Sequence, residues 1–298
     1  DNGSGQLGQG NKTRYSSPTQ VGTDSDWSTV SAGYGFTYAV KQDGTVWTWG
    51  TNGQGQLGQN DTSGYSSPKQ LGTGTSWSWG ECGMYTGYLI TTGGAARGMG
   101  AASEGRLGNN ANTNRSSPIG IPGGGWTSIT STSSNSFGVA GGSLYTWGKG
   151  AWGQNGKNNQ SNYSTPQFIF GSAGDYNAVS GGEDKSVIIK SDGTLWAMGD
   201  GASELGLNST TSRSSPTQIG NPGETAWKTL NRGVYDSQTS TAAIKTDGTL
   251  WGWGTNSYGN LGMNNRSQYN SPRQVGTDTD WHDVNSGAFE GIATKKSY

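Results

Sequence analysis

Apolar positions along this chain fall in short alternating runs separated by stretches of Gly, Ser, Thr and Asn. The runs Trp27-Ser-Thr-Val-Ser-Ala-Gly33 and Thr37-Tyr-Ala-Val-Lys41 follow the period of two that sends successive side chains to opposite faces of a strand. Asp43-Gly44 separates the second run from Thr45-Val-Trp-Thr-Trp49, and Asp-Gly between alternating apolar residues is the strongest short-range hairpin signal. In this third run Val46 is expected on one face and Thr45, Trp47 and Trp49 on the other. The stretch from Gly50 to Leu71 reads as a glycine-rich loop with a last short strand near Lys69-Gln70-Leu71. Four short strands in about 50 residues, with no clear 3.6-residue pattern beside them, predict an all-β chain.

The same pattern returns along the whole sequence. A proline after small hydroxyl residues recurs at Pro18, Pro68, Pro118, Pro166, Pro216 and Pro272, in steps of 50, 50, 48, 50 and 56. The glycine ending Gly-Gln-Leu-Gly or a close variant falls at Gly8, Gly58, Gly108, Gly156, Gly206 and Gly262, with the same five steps. Trp27, Trp77, Trp126, Tyr176, Trp227 and Trp281 follow the prolines by 8 to 11 residues. Asp-Gly-Thr before an aromatic strand stands at Asp43, Asp192 and Asp247, and has decayed to Thr92-Gly93 and Gly141-Gly142 in two other units. A fixed period of this size marks arrays, solenoids or propellers, and four short strands per unit select the propeller.

These residues also carry a family resemblance. Val46-Trp-Thr-Trp-Gly-Thr-Asn-Gly-Gln-Gly-Gln-Leu-Gly58, with Asp43-Gly44 before it and Pro68 after it, resembles the regulator-of-chromosome-condensation repeat, and Leu250-Trp-Gly-Trp-Gly-Thr-Asn-Ser-Tyr-Gly-Asn-Leu-Gly262 repeats the string. The resemblance implies a β-propeller of about six four-stranded blades forming one domain over residues 1–298. It departs from the family pattern in showing six units rather than the common seven, and in lacking the His usual near the second strand. Aligning Ala293-Thr-Lys-Lys-Ser-Tyr298 on Ala39-Val-Lys-Gln-Asp-Gly44 leaves one Trp-bearing strand missing between the end of the chain and Asp1. Either the chain is a window on a longer protein, or N- and C-terminal strands pair to close the last blade, a usual cure for an exposed sheet edge.

Composition changes the picture in three places. Apolar residues make up 29% and mean hydropathy is -0.72, which alone would suggest a chain unable to bury enough surface to fold. Thirteen Trp and thirteen Tyr reverse this, because each can hide roughly 150 to 250 Å², and a ring of small cores centred on Trp is expected. Gly is 54 of 298, which calls for many tight turns. Net charge is -1 with charged residues at 13%, so neither a basic footprint for nucleic acid nor a polybasic stretch for a membrane is present. No apolar run approaches the ~18 residues of a membrane span, and Cys82, the single cysteine, excludes an internal disulfide.

Candidate chemistry is thin. Gly3-Ser-Gly5-Gln-Leu-Gly8 and Gly53-Gln-Gly55-Gln-Leu-Gly58 match a phosphate-binding fingerprint in letters, but the parallel strand, helix and acidic residue it needs are absent, so they read as turns. The paired aspartates Asp24 with Asp26 and Asp278 with Asp280 could chelate calcium; the favoured reading is that they cap turns. His282 is the sole histidine, so one chain cannot build a multi-histidine zinc site, and it reads as a solvated side chain beside a strand. Glu183 with Asp184 is the nearest approach to an acid pair, weak support for an enzyme. The expectation is a chain without catalytic residues, metal or cofactor. Asn-x-Ser/Thr sequons such as Asn11-Lys-Thr13 and Asn265-Arg-Ser267 read as accidents of composition.

Where the units differ is more informative. The turns between the first two strands carry unrelated side chains: Tyr34 and Phe36, Glu81, Met84 and Tyr85, Ser133 to Asn135, Glu183, Asp184 and Lys185, Tyr235 and Asp236, and Phe289 and Glu290. In a propeller these turns converge on one face, and loops on a rigid scaffold are where binding usually lives. Mixed aromatic and charged side chains suit a protein interface, although neutral drift in exposed turns would give the same variability. The function expected is a non-enzymatic scaffold that recognises a protein or a surface glycan, without nucleic acid or membrane insertion, as part of a larger assembly or longer polypeptide. Low Lys with abundant Asn, Ser, Thr and Gly resembles bacterial or viral members, which implies an extracellular, cell-surface or virion location. The family also implies two alternatives. Guanine-nucleotide exchange with chromatin attachment is disfavoured by the charge balance, and tryptophan-based ultraviolet sensing is disfavoured because most tryptophans here sit at repeating packing positions.

Overall fold

A computed structural model describes the chain except residues 170–174, 183, 203–204, 222, 232–239, 287–290 and 297–298. Among the described residues there are 22 strands. The first sheet contains β1 (Trp27–Ala32), β2 (Phe36–Lys41), β3 (Val46–Gly50) and β4 (Tyr65–Gln70). The second contains β5 (Trp77–Cys82), β6 (Thr86–Thr91), β7 (Ala96–Gly100) and β8 (Arg115–Gly120), and the third β9 (Trp126–Ser131), β10 (Asn135–Ala140), β11 (Ser143–Gly148) and β12 (Tyr163–Phe168). The fourth contains β13 (Tyr176–Gly181), β14 (Lys185–Lys190), β15 (Leu195–Gly199) and β16 (Arg213–Ile219), and the fifth β17 (Trp227–Leu230), β18 (Ser240–Lys245), β19 (Leu250–Gly254) and β20 (Tyr269–Gln274). The sixth is a pair, β21 (Trp281–Ser286) and β22 (Gly291–Lys295). Every pairing is antiparallel between consecutive strands, so each repeat unit builds one meander.

First strands of successive sheets touch in order, β1 on β5, β5 on β9, β9 on β13, β13 on β17 and β17 on β21. Side chains from β5, β9, β13, β17 and β21 line one cavity of about 540 Å³, so these strands surround a common axis. This is the radial arrangement of a β-propeller. The expected six blades are present, five with four strands and the sixth with two among the described residues. Closure by pairing of terminal strands is not seen there: β22 pairs with β21, and residues 1–26 form no strand.

The period-of-two reading of the third strand holds for direction: the rings of Trp47 and Trp49 both meet Trp27, at 6.2 and 6.4 Å. It does not separate core from solvent, because β3, β15 and β19 are buried on both faces, with one half-buried residue each. Blades two to five are each packed between two neighbours, so their inner strands have no solvent side.

The cores therefore lie between blades. Phe36, Val40, Leu57, Leu89 and Met99 fill the first interface, and Tyr88, Ile90, Ile129 and Trp147 the second. Phe137, Ile188 and Met198 fill the third, Val187, Leu205, Trp227 and Trp253 the fourth, and Ile244, Leu250 and Val284 the fifth. Buried Trp belongs to two of these five clusters. The rest are built on aliphatic, Met, Phe and Tyr side chains, which corrects the expectation of cores centred on Trp.

The Gly-Gln-Leu-Gly loops lock one blade to the next. Asn52 Oδ1 accepts a hydrogen bond from Leu57 N at 2.8 Å, as Asn2 does from Leu7 and Asn256 from Leu261, tying each loop into a compact turn. The last glycine of the turn faces the third strand of the following blade. A methyl group on Gly8, Gly58, Gly108, Gly156 or Gly206 would collide with Trp49, Met99, Trp147, Met198 or Trp253 respectively. The indoles of Trp49 and Trp147 also donate to the carbonyls of Gln6 and Arg106, each at 2.9 Å. These glycines serve as turn and packing devices.

Candidate functional site

The chain folds so that two kinds of segment meet at one end of the blades. The turn after the first strand and the long loop after the third strand leave the sheet at the same end, and their backbones are laced together. Thr51 N donates to Gly35 O at 2.8 Å, Ala101 N to Tyr85 O at 2.9 Å, Lys149 N to Ser134 O at 3.0 Å and Asp200 N to Asp184 O at 2.8 Å. Neighbouring blades are joined at the same end. The rings of Tyr34 and Tyr85 meet edge to face at 5.9 Å, Arg106 Nη1 donates to Ser133 O at 2.8 Å, and Lys149 Nζ pairs with Asp184 Oδ1 at 2.9 Å. Loops of different blades thus form one continuous surface.

The side chains singled out from sequence divide on this frame. Tyr34 is 52% exposed, while Tyr85 is half-buried against it. Glu81 is half-buried at the end of β5, lines the axial cavity and lies 3.5 Å from Ser31 Oγ. Asp184 is held by Lys149 and by Gln154 Nε2 at 3.4 Å, so its carboxylate fastens blade three to blade four. Phe36, Met84 and Lys185 are buried at 0%, 7% and 2% exposure, so they do not contribute to the outer surface. Phe36 packs on Tyr38 at 5.6 Å, which the turn-based reading missed because it is the first residue of β2 and points into the interface. Glu183, Tyr235, Asp236, Phe289 and Glu290 lie outside the described residues.

A second set of variable side chains lies on the same face and was hidden by the glycine signature. One position inside the Gly-Gln-Leu-Gly loop changes in every unit, as Ser4, Gln54, Glu104, Trp152, Ala202 and Tyr258. Trp152 is 43% and Tyr258 70% exposed. The signal was available: Trp and Tyr stand where the other units have polar or small residues, in loops leaving the strand end that carries Tyr34.

Other candidates have structural explanations. Asp24 and Asp26 grip Lys41 Nζ at 2.6 and 3.1 Å, and Asp278 and Asp280 grip Lys295 at 2.6 and 3.1 Å. The aspartate pairs hold lysines, which corrects the turn-capping reading. The hydrogen bonds to Asp24 and to Asp278 hold the Lys41 and Lys295 ammonium groups above their usual pKa range. Each ammonium also lies on a first-strand indole, Lys41 at 4.9 Å from Trp27 and Lys295 at 5.0 Å from Trp281, a favourable cation–π placement. In the Asp-Gly-Thr turns, Asp43 Oδ1 accepts from Thr45 N at 2.9 Å and Thr45 Oγ1 at 2.7 Å, and Thr45 Oγ1 accepts from Trp47 Nε1 at 3.1 Å. The same three bonds recur at Asp192 and Asp247, and those to Thr45, Thr194 and Thr249 hold the three carboxyls below their usual pKa. His282 is exposed in β21. Among the described residues no cluster of three His, Cys, Asp or Glu side chains could hold a metal ion, and no helix is long and apolar enough to cross a membrane.

The axial cavity is a further concave feature. Trp79, Glu81, Tyr176, Lys228 and Asp283 line it, and burial, with Asp175 nearby, pushes the Tyr176 hydroxyl up to about 12.

Radial four-stranded meanders, blade-locking glycine loops and one face of irregular turns define a repeat β-propeller whose variable chemistry sits at one end. The chain belongs to the regulator of chromosome condensation (RCC1) repeat family: it matches the family's repeat over residues 1–40, 43–86, 141–189 and 247–290, and a second form of the repeat over 27–56. It is 30% identical over 135 residues to the ultraviolet-B receptor UVR8 of Arabidopsis thaliana, covering 44% of this chain and 30% of the receptor. It is 29% identical over 141 residues to the human E3 ubiquitin-protein ligase HERC2, covering 46% of this chain and 3% of the ligase. The chain thus spans less than a third of either relative. Among solved structures, human WBSCR16 superposes with a TM-score of 0.76 at 19% identity, covering 91% of this chain and 72% of that one. Yeast RCC1 (Prp20), solved bound to Kap60, gives 0.76 at 17% identity over 90% of this chain and 66% of that one. At those identities the likeness concerns the fold.

Proposed function

We propose that the chain is a non-enzymatic binding module, one propeller domain whose irregular loop face recognises a protein. The observation that carries this is the set of exposed or half-exposed aromatic side chains at non-repeating positions in loops at one end of the blades: the Tyr34–Tyr85 pair and Trp152. Aromatic residues supply large contact area at low entropy cost and are enriched at interface hot spots. The blade-locking loops hold these rings in place before a partner arrives, which lowers the cost of association. Relatives point the same way: yeast RCC1 was solved bound to Kap60, and another study of Prp20p concerns its binding to Gsp1p and histones. With a net charge of -1, a partner recognised by aromatic and polar contacts fits this chain better than nucleosomal DNA does.

The test is binding of the purified chain to immobilised surface proteins and, in a parallel arm, to a glycan array. The variant carrying Tyr34→Ala, Tyr85→Ala and Trp152→Ala is compared with wild type. Loss of a saturable protein interaction in the variant, with unchanged circular dichroism, supports the proposal. Binding confined to glycans moves the function to sugar recognition, since exposed rings also stack on sugars. Equal binding by variant and wild type removes this face from consideration.

A further inference from the structure

A hollow recurs where the outer loop of one blade meets the first strand of the next, and one copy of it is lined differently. Between blades one and two it has about 370 Å³, and Gln59, Asn60, Gly72, Trp77 and Pro118 line it. Between blades four and five the matching residues Leu207, Asn208, Gly220, Trp227 and Pro272 line a hollow of about 460 Å³. Trp227 opens β17 and Lys245 closes β18, so this second hollow lies at the strand end opposite the irregular turns.

Register shows what differs. Trp227 lies opposite Lys245 and Ala243 opposite Trp251, where blade two has Trp77 opposite Thr91 and Leu89 opposite Arg97. Lys245 and Trp251 join the lining. The indoles of Trp227 and Trp251 meet edge to face at 6.0 Å, and Lys245 Nζ lies over them at 4.7 and 4.1 Å. Glu224 Oε1 holds the same ammonium at 2.7 Å. Glu224 can fold over the hollow because Gly220 has no side chain: a methyl there would collide with its carboxylate, whereas one on Gly22 or Gly72 would meet nothing within 4 Å. One corner is left open by Leu207. Gln59 Nε2 crosses that corner in its own unit to Lys69 O and Gln70 O at 3.2 and 3.3 Å, as Gln9 does to Thr19 O and Gln20 O, but a leucine has no donor to do so. The Trp227 indole N–H, on a residue 2% exposed, has no acceptor among the described residues. In blade two the same indole edge borders the matching lining, Trp77 Nε1 standing 3.3 Å from a methyl placed on Gly74.

From this we propose that the hollow between blades four and five binds a neutral sugar, as a free hexose or the end of a short glycan. Glu224 and Lys245 are its charged residues and cancel each other, so the lining has no net charge with which to select an ionic ligand. Carboxylate and amide oxygens accept, while the ammonium, the amide NH₂ groups of Asn208, Gln218 and Asn221 and the Trp227 N–H donate. Hydroxyls, each both donor and acceptor, satisfy such a mixed set. The indoles add an apolar wall for the C–H face of a sugar ring. The volume lies within the ~300–1,000 Å³ of small-molecule sites.

The test uses the full chain and a panel of D-glucose, D-galactose, D-mannose, N-acetyl-D-glucosamine, cellobiose and lactose, with D-glucuronate as the charged control. Saturation-transfer NMR finds the ligands and titration calorimetry measures their affinities. Saturable one-to-one binding of at least one neutral sugar is expected. Leu207→Gln, which copies Gln59, and Trp251→Arg, which copies Arg97, should each weaken it at least tenfold. Both replacements already stand at matching positions of this chain, and unchanged circular dichroism verifies that each variant folds. Trp47→Arg, the same change in blade one, should leave the affinity unaltered. No binding across the panel, equal affinity for glucuronate, an unaltered affinity in either hollow variant, or an equal loss in Trp47→Arg would each overturn the proposal. Because none of these changes touches Tyr34, Tyr85 or Trp152, the result is independent of partner recognition at the loop face.

Discussion

The lock between the loop of one blade and the third strand of the next can be tested as a single coupled contact, at Gly108 and Trp147. Trp147 is fully buried, its indole donating to Arg106 O at 2.9 Å. Replacing it with Ala removes roughly 150 to 250 Å² of buried ring, about 4 to 6 kcal/mol at ~25 cal/mol/Å², in line with the ~3–5 kcal/mol of large-to-small core changes. The lost hydrogen bond adds little, because the Arg106 carbonyl still accepts from the Tyr88 hydroxyl. Gly108 has φ +68, and its three nearest neighbours for an added methyl are all atoms of Trp147, the closest Nε1 at 2.8 Å. Gly108→Ala therefore carries a conformational cost of about 1–2 kcal/mol for left-handed backbone and an overpacking cost of about 1–3 kcal/mol. Gly22→Ala isolates the first term, since Gly22 has φ +62 and nothing within 4 Å. In a Trp147→Ala background Gly108→Ala should cost no more than Gly22→Ala does, giving a coupling of about 1–3 kcal/mol in a double-mutant cycle. Urea unfolding followed by far-ultraviolet circular dichroism reads each variant, with a common m-value as the condition for comparison. An equal cost of Gly108→Ala in both backgrounds would refute the lock.

Three further outcomes follow from the geometry. The carboxyls of Asp43, Asp192 and Asp247 have lowered pKa values in the folded chain; the folded state binds their protons less readily, so the stability they provide is present above the usual carboxylate pKa and is lost as pH falls through the lowered values. Replacing all three with Asn should flatten the acid limb of a Tm-against-pH curve below about pH 4, and an unchanged limb would show that these turns do not govern it. Cys82 is buried at 0% exposure and burial pushes its thiol well up, so a thiol reagent at pH 8 should label it at the rate of unfolding; fast labelling of native protein would contradict the buried placement. Tyr34→Ala together with Trp152→Ala should change stability by less than about 1 kcal/mol, since both residues are about half exposed and belong to no buried core cluster; a larger loss in urea unfolding would assign them a structural role.

Much of the architecture was legible because a repeat states its own period. Pro68, Trp77 and Gly58 each mark one place in the blade, and strands β1 to β4 lie within a few residues of the runs that predicted them. Short side-chain signals with local causes were equally readable, as in Asp43 and Thr45, where the turn and its hydrogen bonds lie within two residues. The candidate site was half legible. Variable turns were found, yet Phe36, Met84 and Lys185 are buried, because variability along a sequence does not say which side of a turn a side chain leaves from. Trp152 escaped notice inside a recurring glycine loop for the converse reason.

The sequence by itself determined the all-β class, the six-unit period, the hairpin turns and the positions where units differ, since all of these depend on neighbours in the chain. Only the tertiary structure decided that the cores lie between blades, that paired aspartates hold lysines, and that Gly108 meets Trp147. Those features depend on contacts some 15 to 50 residues apart in the chain, and no local period records which side chain will arrive from the next blade.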